Sequence, residues 1–381
     1  MDRTELESWL RLALVPGLGR AGARRLLAAC GDPGVVFEQP VGVLSPIVGE
    51  TVARSLATPP EDLGAHVERS AAWIAAAANR AIVSLGDPFY PARWLQTPDP
   101  PLFVFAEGDL ALLQADSIAV VGSRNPTPQG METARDFARA LSEAGRTIVS
   151  GLALGIDAAA HEGGLTGRGR SIAIVGTGLD DDYPRRNAAL AQRLRREGLV
   201  VSEYLLGSPP LAPHFPQRNR LIAGLARGTL VVEAALQSGS LITARQALEQ
   251  GAEVFAVPGS IHSPQSRGCH ALIKQGARLV DQAQDILQDL PPPGATVDST
   301  APGIARLEPA SDDRAGSGDA AAAPEDDPVL AAMGYDPVTQ DAIAARLGWP
   351  AARLSARLLE LELEGRVARL AGQRFQRQAR G

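Results

Sequence analysis

Lysine is almost missing from this chain: Lys274 is the single one among 381 residues, so positive charge is carried nearly all by arginine. Guanidinium groups suit bidentate phosphate recognition, although the heavy Ala, Gly and Pro usage shows that a GC-rich coding bias produces the same arginine excess. Cysteine is equally scarce. Cys30 and Cys269 stand far apart without CxxC or Cys/His spacing, which excludes a disulfide framework and a patterned zinc site; both read as plain buried thiols. No apolar run approaches eighteen residues, and the first residues lack the basic, apolar, small-residue order of an export signal. Neither a membrane span nor secretion is expected, and the cytoplasm is the default. No GxxxxGK[ST] sequence occurs, so ATP hydrolysis is not expected, and no metal or cofactor is called for.

What is present is an ordinary globular composition, 45% hydrophobic and 21% charged, enough for one sizeable core with about two satellite domains. Residues 1–78 carry short helical periods such as Trp9 to Val15 and Ala23 to Cys30. Within them Val15-Pro16-Gly17-Leu18-Gly19 ahead of a basic helix, Arg20 to Leu27, resembles a helix-hairpin-helix turn, whose amides can hold a backbone phosphate. Residues 79–288 alternate Val/Ile/Ala runs (SIAVVG, RTIVSG, RSIAIVG, LVVSE, GTLVVEA, AEVFAVPG) with amphipathic segments, as a parallel sheet covered on both faces requires. A doubly wound, Rossmann-like α/β core is predicted. Residues 289–328 lack any apolar period and read as a flexible linker. Residues 329–381 suit three helices and a ribbon turning at Ala371-Gly372, a winged helix. Its third helix places Arg353 and Arg357 toward DNA, while Glu360, Glu362 and Glu364 oppose that reading.

The formal charge of −6 argues against nucleic acid, but charge is unevenly placed. Acids gather in the linker, and arginines gather at Arg124, Arg185 to Arg186 and Arg218 to Arg220. The first core strand ends in Gly122-Ser123-Arg124, where open sheets bind ligands. This is no GxGxxG fingerprint, since the second strand runs into Ser150-Gly151 instead of an acid. Gly176-Thr177-Gly178 closes the third. Phe215 and Arg218-Asn219-Arg220 open a helix, and Ser238-Gly239-Ser240 starts another with amides free for an anion. Each turn alone is a good strand-to-helix joint; together they suggest a phosphate-binding rim with a face for stacking.

The runs VGSRNPTPQG, SGLALGIDAAAHEGGL, GTGLDDDYPRRN, SEY, FPQRNRLIAGL, VVEAALQSGSLITARQA, VPGS and GCHALIKQGA, in that order, closely resemble the DNA-processing protein A (DprA/Smf) family. The resemblance implies a protein, not an enzyme, that binds single-stranded DNA entering during natural transformation (competence) and loads the recombinase RecA onto it. A homodimer is expected. Carried over by motif, Arg124, Arg218, Arg220 and Lys274 become phosphate contacts, Gly122, Ser123, Ser238, Gly239 and Ser240 anion-cradling turns, and Phe215 a stacking platform; Asn219 joins the DNA-binding set, with a bridge to loop backbone as its alternative role. The shortage of lysine departs from the family, whose pockets mix both cations.

Other residues read more blandly. Asp157 and His161, four apart on one helical face, form an N-terminal helix residue and its buried partner. Asp180 to Asp182 make a solvated turn rather than a magnesium site. Glu233, after a Val-rich strand, supports a rival enzyme reading, a nucleotide-monophosphate hydrolase with Glu233 activating water, but the acid precedes the glycine here, whereas such enzymes carry PGGxGTxxE. A small-nucleotide sensor is the third alternative.

Overall fold

The computed structural model describes residues 1–291, 327–370 and 372–378; most of the 289–328 linker, and Ala371 of the ribbon turn, lie outside them. Six helices open the chain: α1 (Arg3–Leu14), α2 (Gly19–Cys30), α3 (Pro33–Glu38), α4 (Val41–Val48), α5 (Glu50–Ala57) and α6 (Leu63–Ala75). Asp2 and Asp32 cap α1 and α3 by accepting from Glu5 and Gly34 amides. Their inward faces, among them Leu10, Leu26, Leu44, Leu56 and Val67, form a cluster continuous with Phe103, Phe105 and Val200 of the sheet. The helices therefore share a core with the strands. The tip of α2 is bound too: Arg20 pairs with Asp99 and Glu203, Arg24 reaches Asp99, and Arg25 donates to the Ile47 carbonyl. The basic helix read as a phosphate contact spends its arginines inside the molecule. Cys30 is half-buried rather than buried, and Cys269 is fully buried, which pushes its thiol up to about 12.

The core elements are β1 (Arg80–Ser84), α7 (Ala92–Leu95), β2 (Phe103–Gly108), β3 (Ser117–Val121), α8 (Pro128–Glu143), β4 (Thr147–Ser150), α9 (Ile156–Gly164), β5 (Ser171–Val175), α10 (Ala188–Glu197), β6 (Leu199–Ser202), α11 (His214–Leu225), β7 (Gly228–Val231), α12 (Gly239–Glu249), β8 (Glu253–Ala256), α13 (Arg267–Lys274), β9 (Arg278–Leu279) and α14 (Ala283–Asp289). They build a nine-stranded sheet in the order β1-β2-β6-β5-β4-β3-β7-β8-β9. From β6 to β9 every neighbour is parallel, with Ala119 opposite Val149 on one side and Thr229 on the other. The six Val/Ile/Ala runs are the six strands β3 to β8. β1 and β2 escape that pattern because they pair antiparallel at one edge, with only the four-residue α7 between them.

Alternation sorts the layers. Ile118 and Val120 face α8 and α9, whereas Ala119 and Val121 face α11 and α12. The strand order reverses between β3 and β7, the crevice where such sheets take ligands. The last unit comprises α15 (Pro328–Met333), β10 (Val338–Thr339), α16 (Gln340–Leu347), α17 (Ala351–Leu363), β11 (Val367–Leu370) and β12 (Arg374–Arg377). Leu330, Ile343, Leu354, Leu358, Leu361 and Phe375 fill its core. The ribbon gains a third strand, β10, in the order β10-β12-β11, and the fold is a winged helix. It touches the sheet domain through Arg346, 3.3 Å from Glu132 of α8. Among the described residues no helix is long and apolar enough to cross a membrane.

Candidate nucleic-acid interface

Every strand from β3 to β8 delivers its carboxyl end to one edge, and most of the residues singled out in the sequence lie there. Arg124, in the loop after β3, is exposed and makes no ion pair among the described residues; its guanidinium stands 5.7 Å from the ring centre of Phe215. Phe215, half-buried in the first turn of α11, meets Tyr183 at 5.6 Å. A Cβ on Gly176 would approach the Phe215 ring to 3.1 Å, so the end of β5 must be bare for the aromatic to lie over it. Tyr204 stacks on His214 at 3.9 Å, and its hydroxyl donates to the His214 carbonyl, which fixes the start of α11. Burial pushes the Tyr204 hydroxyl up to about 12, helped by the Glu203 charge. Arg124 above the Phe215 ring, with Tyr183 beside that ring, offers both phosphate attraction and stacking.

Two further cations stand on this edge that were not carried over with the motifs. Arg185 and Arg186 are exposed, without ion pairs among the described residues, in the turn that follows Tyr183. Asn187 ties that turn to the rim by donating to the carbonyls of Leu152 at 2.9 Å and Ala153 at 3.1 Å. The sequence marked the arginine pair as an accumulation of charge. Its placement depends on a side-chain hydrogen bond across 35 residues, which spacing does not reveal.

Arg218 and Arg220 are placed otherwise than as open phosphate donors. Arg218 is 4% exposed; its Nη1 donates to the carbonyls of Gly151, at 2.7 Å, and of Ile174, so it laces the ends of β4 and β5 together. Burial lowers it to about 10, partly offset by the Asp157 carboxylate, so it remains charged at neutral pH. Asn219 supports Arg218, its Oδ1 accepting from Arg218 Nε at 3.2 Å. Arg220, 8% exposed, binds Glu203 at 2.5 Å and Asp99 at 3.4 Å, closing the same network that holds α2. Two carboxylates of the chain itself already pair with this guanidinium.

The glycine and serine turns divide in the same way. A Cβ on Gly122 would fall 2.7 Å from Ile156 and 2.8 Å from the Glu233 carbonyl, so close packing of the chain against itself requires this glycine. Ser123 is buried, its amide given to the Glu233 carbonyl and its hydroxyl accepting from the Asn125 amide. After β4, Leu152 takes φ of 58°, a left-handed backbone unusual for leucine. Its amide donates to His161 Nε2 at 3.2 Å, while the Gly151 and Ala153 amides donate to Asp157. Asp157 and His161 are thus both buried, but their bonds go to the 151–153 turn and not to each other. With Nε2 accepting, His161 Nδ1 carries the proton to Ser171 Oγ at 2.7 Å, and burial together with Arg218 lowers the imidazole to about 3. Burial raises Asp157, against the pull of Arg218.

Ser238 caps α12, its hydroxyl accepting from the Ser240 amide and lying 2.8 Å from Ser240 Oγ; both serines are buried. Gly239 is exposed, and nothing stands within 4 Å of where its Cβ would be. This turn follows β7, directly across the reversal point from Arg124. Lys274 is not brought to the rim. It is exposed at the far end of α13, which runs back from the carboxyl edge of β8 to the opposite edge of the sheet.

Glu233 occupies the crevice itself. Its carboxylate accepts from the Thr127 amide at 2.9 Å and the Thr127 hydroxyl at 2.6 Å, at the head of α8. A Cβ on Gly130 would strike it at 2.4 Å. Where a mononucleotide-binding sheet receives a phosphate on its first helix N-terminus, this chain has placed its own carboxylate. Burial raises Glu233, opposed by the Thr127 bonds and assisted by nearby Asp336. Each oxygen accepts one bond from Thr127, which ties the carboxylate to the head of α8. Of the acids at 180–182, Asp180 accepts from the Gly207 amide and Asp182 pairs with Arg195 at 2.7 Å.

In the winged helix, Arg357 is bound to Asp327 at 2.5 Å and to Glu360 at 2.6 Å, so it is not offered to DNA; Arg353 lies 3.8 Å over the Trp349 ring.

Comparison with known proteins agrees with this architecture. Residues 81–291 match the family model of DNA recombination-mediator protein A, and residues 313–373 that of the DprA winged helix domain. Protein Smf of Escherichia coli is 45% identical over 307 residues, 80% of this chain and 79% of that protein. The DNA processing protein DprA of Streptococcus pneumoniae is 48% identical over 206 residues, 54% of this chain and 73% of its own. Its X-ray structure superposes with a TM-score of 0.66 over 76% of this chain and 99% of that one, at 37% identity. A Helicobacter pylori DNA processing protein A, solved to explain its single-stranded DNA binding mode, matches with a TM-score of 0.51 at 30% identity, covering 55% and 94% of the two chains.

Proposed function

Since the chain belongs to the DNA recombination-mediator protein A family, we propose that it binds single-stranded DNA without base selection along the carboxyl edge of its sheet. In this reading it shields DNA taken up during natural transformation and hands it to RecA, acting in the cytoplasm as a homodimer and as a binding protein rather than an enzyme. The observation that carries the proposal is the exposed Arg124, without an ion pair among the described residues, above Phe215, which Tyr183 flanks, with Arg185 and Arg186 on the adjoining turn. Stacking on a ring accepts every base, and guanidinium-phosphate contacts carry no sequence information.

The division of arginines supports the same reading. Arg218 and Arg220 hold the rim rigid and polarise it from beneath, while Arg124, Arg185 and Arg186 are open to a strand lying across it. Glu233 filling the crevice favours a polymer on the rim over a mononucleotide within it. Fluorescence anisotropy with a labelled oligonucleotide, challenged by unlabelled single strand, duplex of equal length and nucleoside monophosphates, tests this. Single strand should compete at far lower concentration than duplex, and monophosphates should neither compete nor release free base. Competition by a monophosphate at the oligonucleotide's own concentration would overturn the proposal in favour of a nucleotide sensor.

A further inference from the structure

The third helix of the winged helix has a face that none of the described residues covers. Along α17, Ala352, Ala356, Leu359 and Leu363 lie outward, with Leu359 exposed by 57% and Leu363 by 82%. Their spacings of four, three and four put them in one stripe, opposite the buried stripe of Leu354, Leu358 and Leu361. DNA-reading helices need polar side chains toward base edges and phosphate. This face is apolar, and the end beyond it carries Glu360 and Glu364. The stripe is also asymmetric along its length, small at the start and large at the end.

We infer that this face is a self-association surface, on which α17 of one copy packs antiparallel against α17 of a second. A two-fold axis through the middle of the helix sets Leu363 over the partner's Ala352 and Leu359 over the partner's Ala356, so each large side chain meets a small one. Charge agrees with the same register. One flank of the stripe bears Arg353 near the start and Glu360 and Glu364 near the end, and in an antiparallel pair like flanks face each other. Arg353 of each copy then lies beside Glu360 and Glu364 of the other, while a parallel pair would set this flank against the opposite one, with Glu360 and Glu364 beside Glu362 of the other copy. Arg353 has no ion pair among the described residues, and Glu360 and Glu364 are 59% and 46% exposed at their side chains. The helix is closed to DNA and complementary to itself.

Sedimentation velocity on the full chain over a concentration series tests the inference. The double variant Leu359→Glu, Leu363→Glu replaces only exposed side chains and should keep its melting temperature, yet shift one association step to at least tenfold higher concentration. Arg353→Glu alone should weaken the same step, and so should Glu360→Arg with Glu364→Arg; an equimolar mixture of these two oppositely altered proteins should restore it. Association unchanged in the double leucine variant overturns the proposal. So does a loss of duplex DNA binding with unchanged mass, which would make the face a DNA surface. Because the readout is mass and not single-strand affinity, its failure is separate from failure of the rim as a DNA site.

Discussion

Replacing Glu233 by alanine removes the two acceptors that hold Thr127, at 2.9 and 2.6 Å, and with them the anchor of the loop carrying Arg124. Leaving a buried donor without its acceptor costs about 1–3 kcal/mol; Thr127 is only part-buried, so its two donors fall in the lower part of that range and together set a loss of about 2–4 kcal/mol. For a domain of this size that is a fall in melting temperature of roughly 5–15 °C. Glu233→Gln keeps one acceptor and the same shape, relieves the burial of a charge, and should stay within about 1 kcal/mol of the parent. The pH dependence distinguishes them further. Burial raises the native Glu233 above its ordinary 4.5, so the folded chain holds that proton more firmly than the unfolded one. The resulting stability is complete below about pH 4.5 and is lost as pH rises through the raised native value. The glutamine variant lacks this loss and should gain on the parent as pH rises above 4.5, seen by comparing a pH below that value with one well above it. Urea denaturation at both pH values, with oligonucleotide affinity measured on the same samples, reads all of this. Affinity should drop in the alanine variant and persist in the glutamine one. An alanine variant as stable as the parent, or a glutamine variant as damaged as the alanine one, would refute the clip.

Two other predictions concern the turn after β7 and the domain boundary. Gly239→Asp, with open space at its Cβ and no positive φ, should leave the melting temperature unchanged and cost about 1–3 kcal/mol in single-strand binding by facing a carboxylate to phosphate; unchanged affinity would remove Ser238, Gly239 and Ser240 from the interface. A chain ending at residue 291 should fold cooperatively and keep most of its binding, whereas one ending before Leu290 should be destabilised, because Leu290 is buried and Arg146 holds the carbonyls of Leu290 and Pro291. Equal melting of the two truncated proteins would show that the tail of α14 contributes nothing.

The parallel core was legible because six strands buried on both faces leave near-continuous apolar runs, and the rim followed from glycine and serine at their ends. The division of labour among the arginines was not. FPQRNR presents Arg218 and Arg220 as equals of Arg124, but both are buried on different sides of α11, where Gly151 and Ile174 receive the first and Glu203 and Asp99 the second. Those partners lie far away in sequence. Lys274 likewise matched a motif while its helix runs to the opposite edge. Glu233 was noticed for its strand, yet Thr127, its partner 106 residues earlier, is what defines its role.

The most direct test of the central claim is the salt dependence of single-stranded DNA affinity in the parent and in Arg124→Ala. If Arg124 is an open phosphate donor, the logarithmic slope should be steep and should shrink by about 0.7 in the variant, the share that one phosphate on a single strand carries. Arg220→Ala, by contrast, should lower the melting temperature and leave the slope of the folded protein unchanged. A slope unaltered by Arg124→Ala, or reduced as much by Arg220→Ala, would contradict the placement of DNA on this rim.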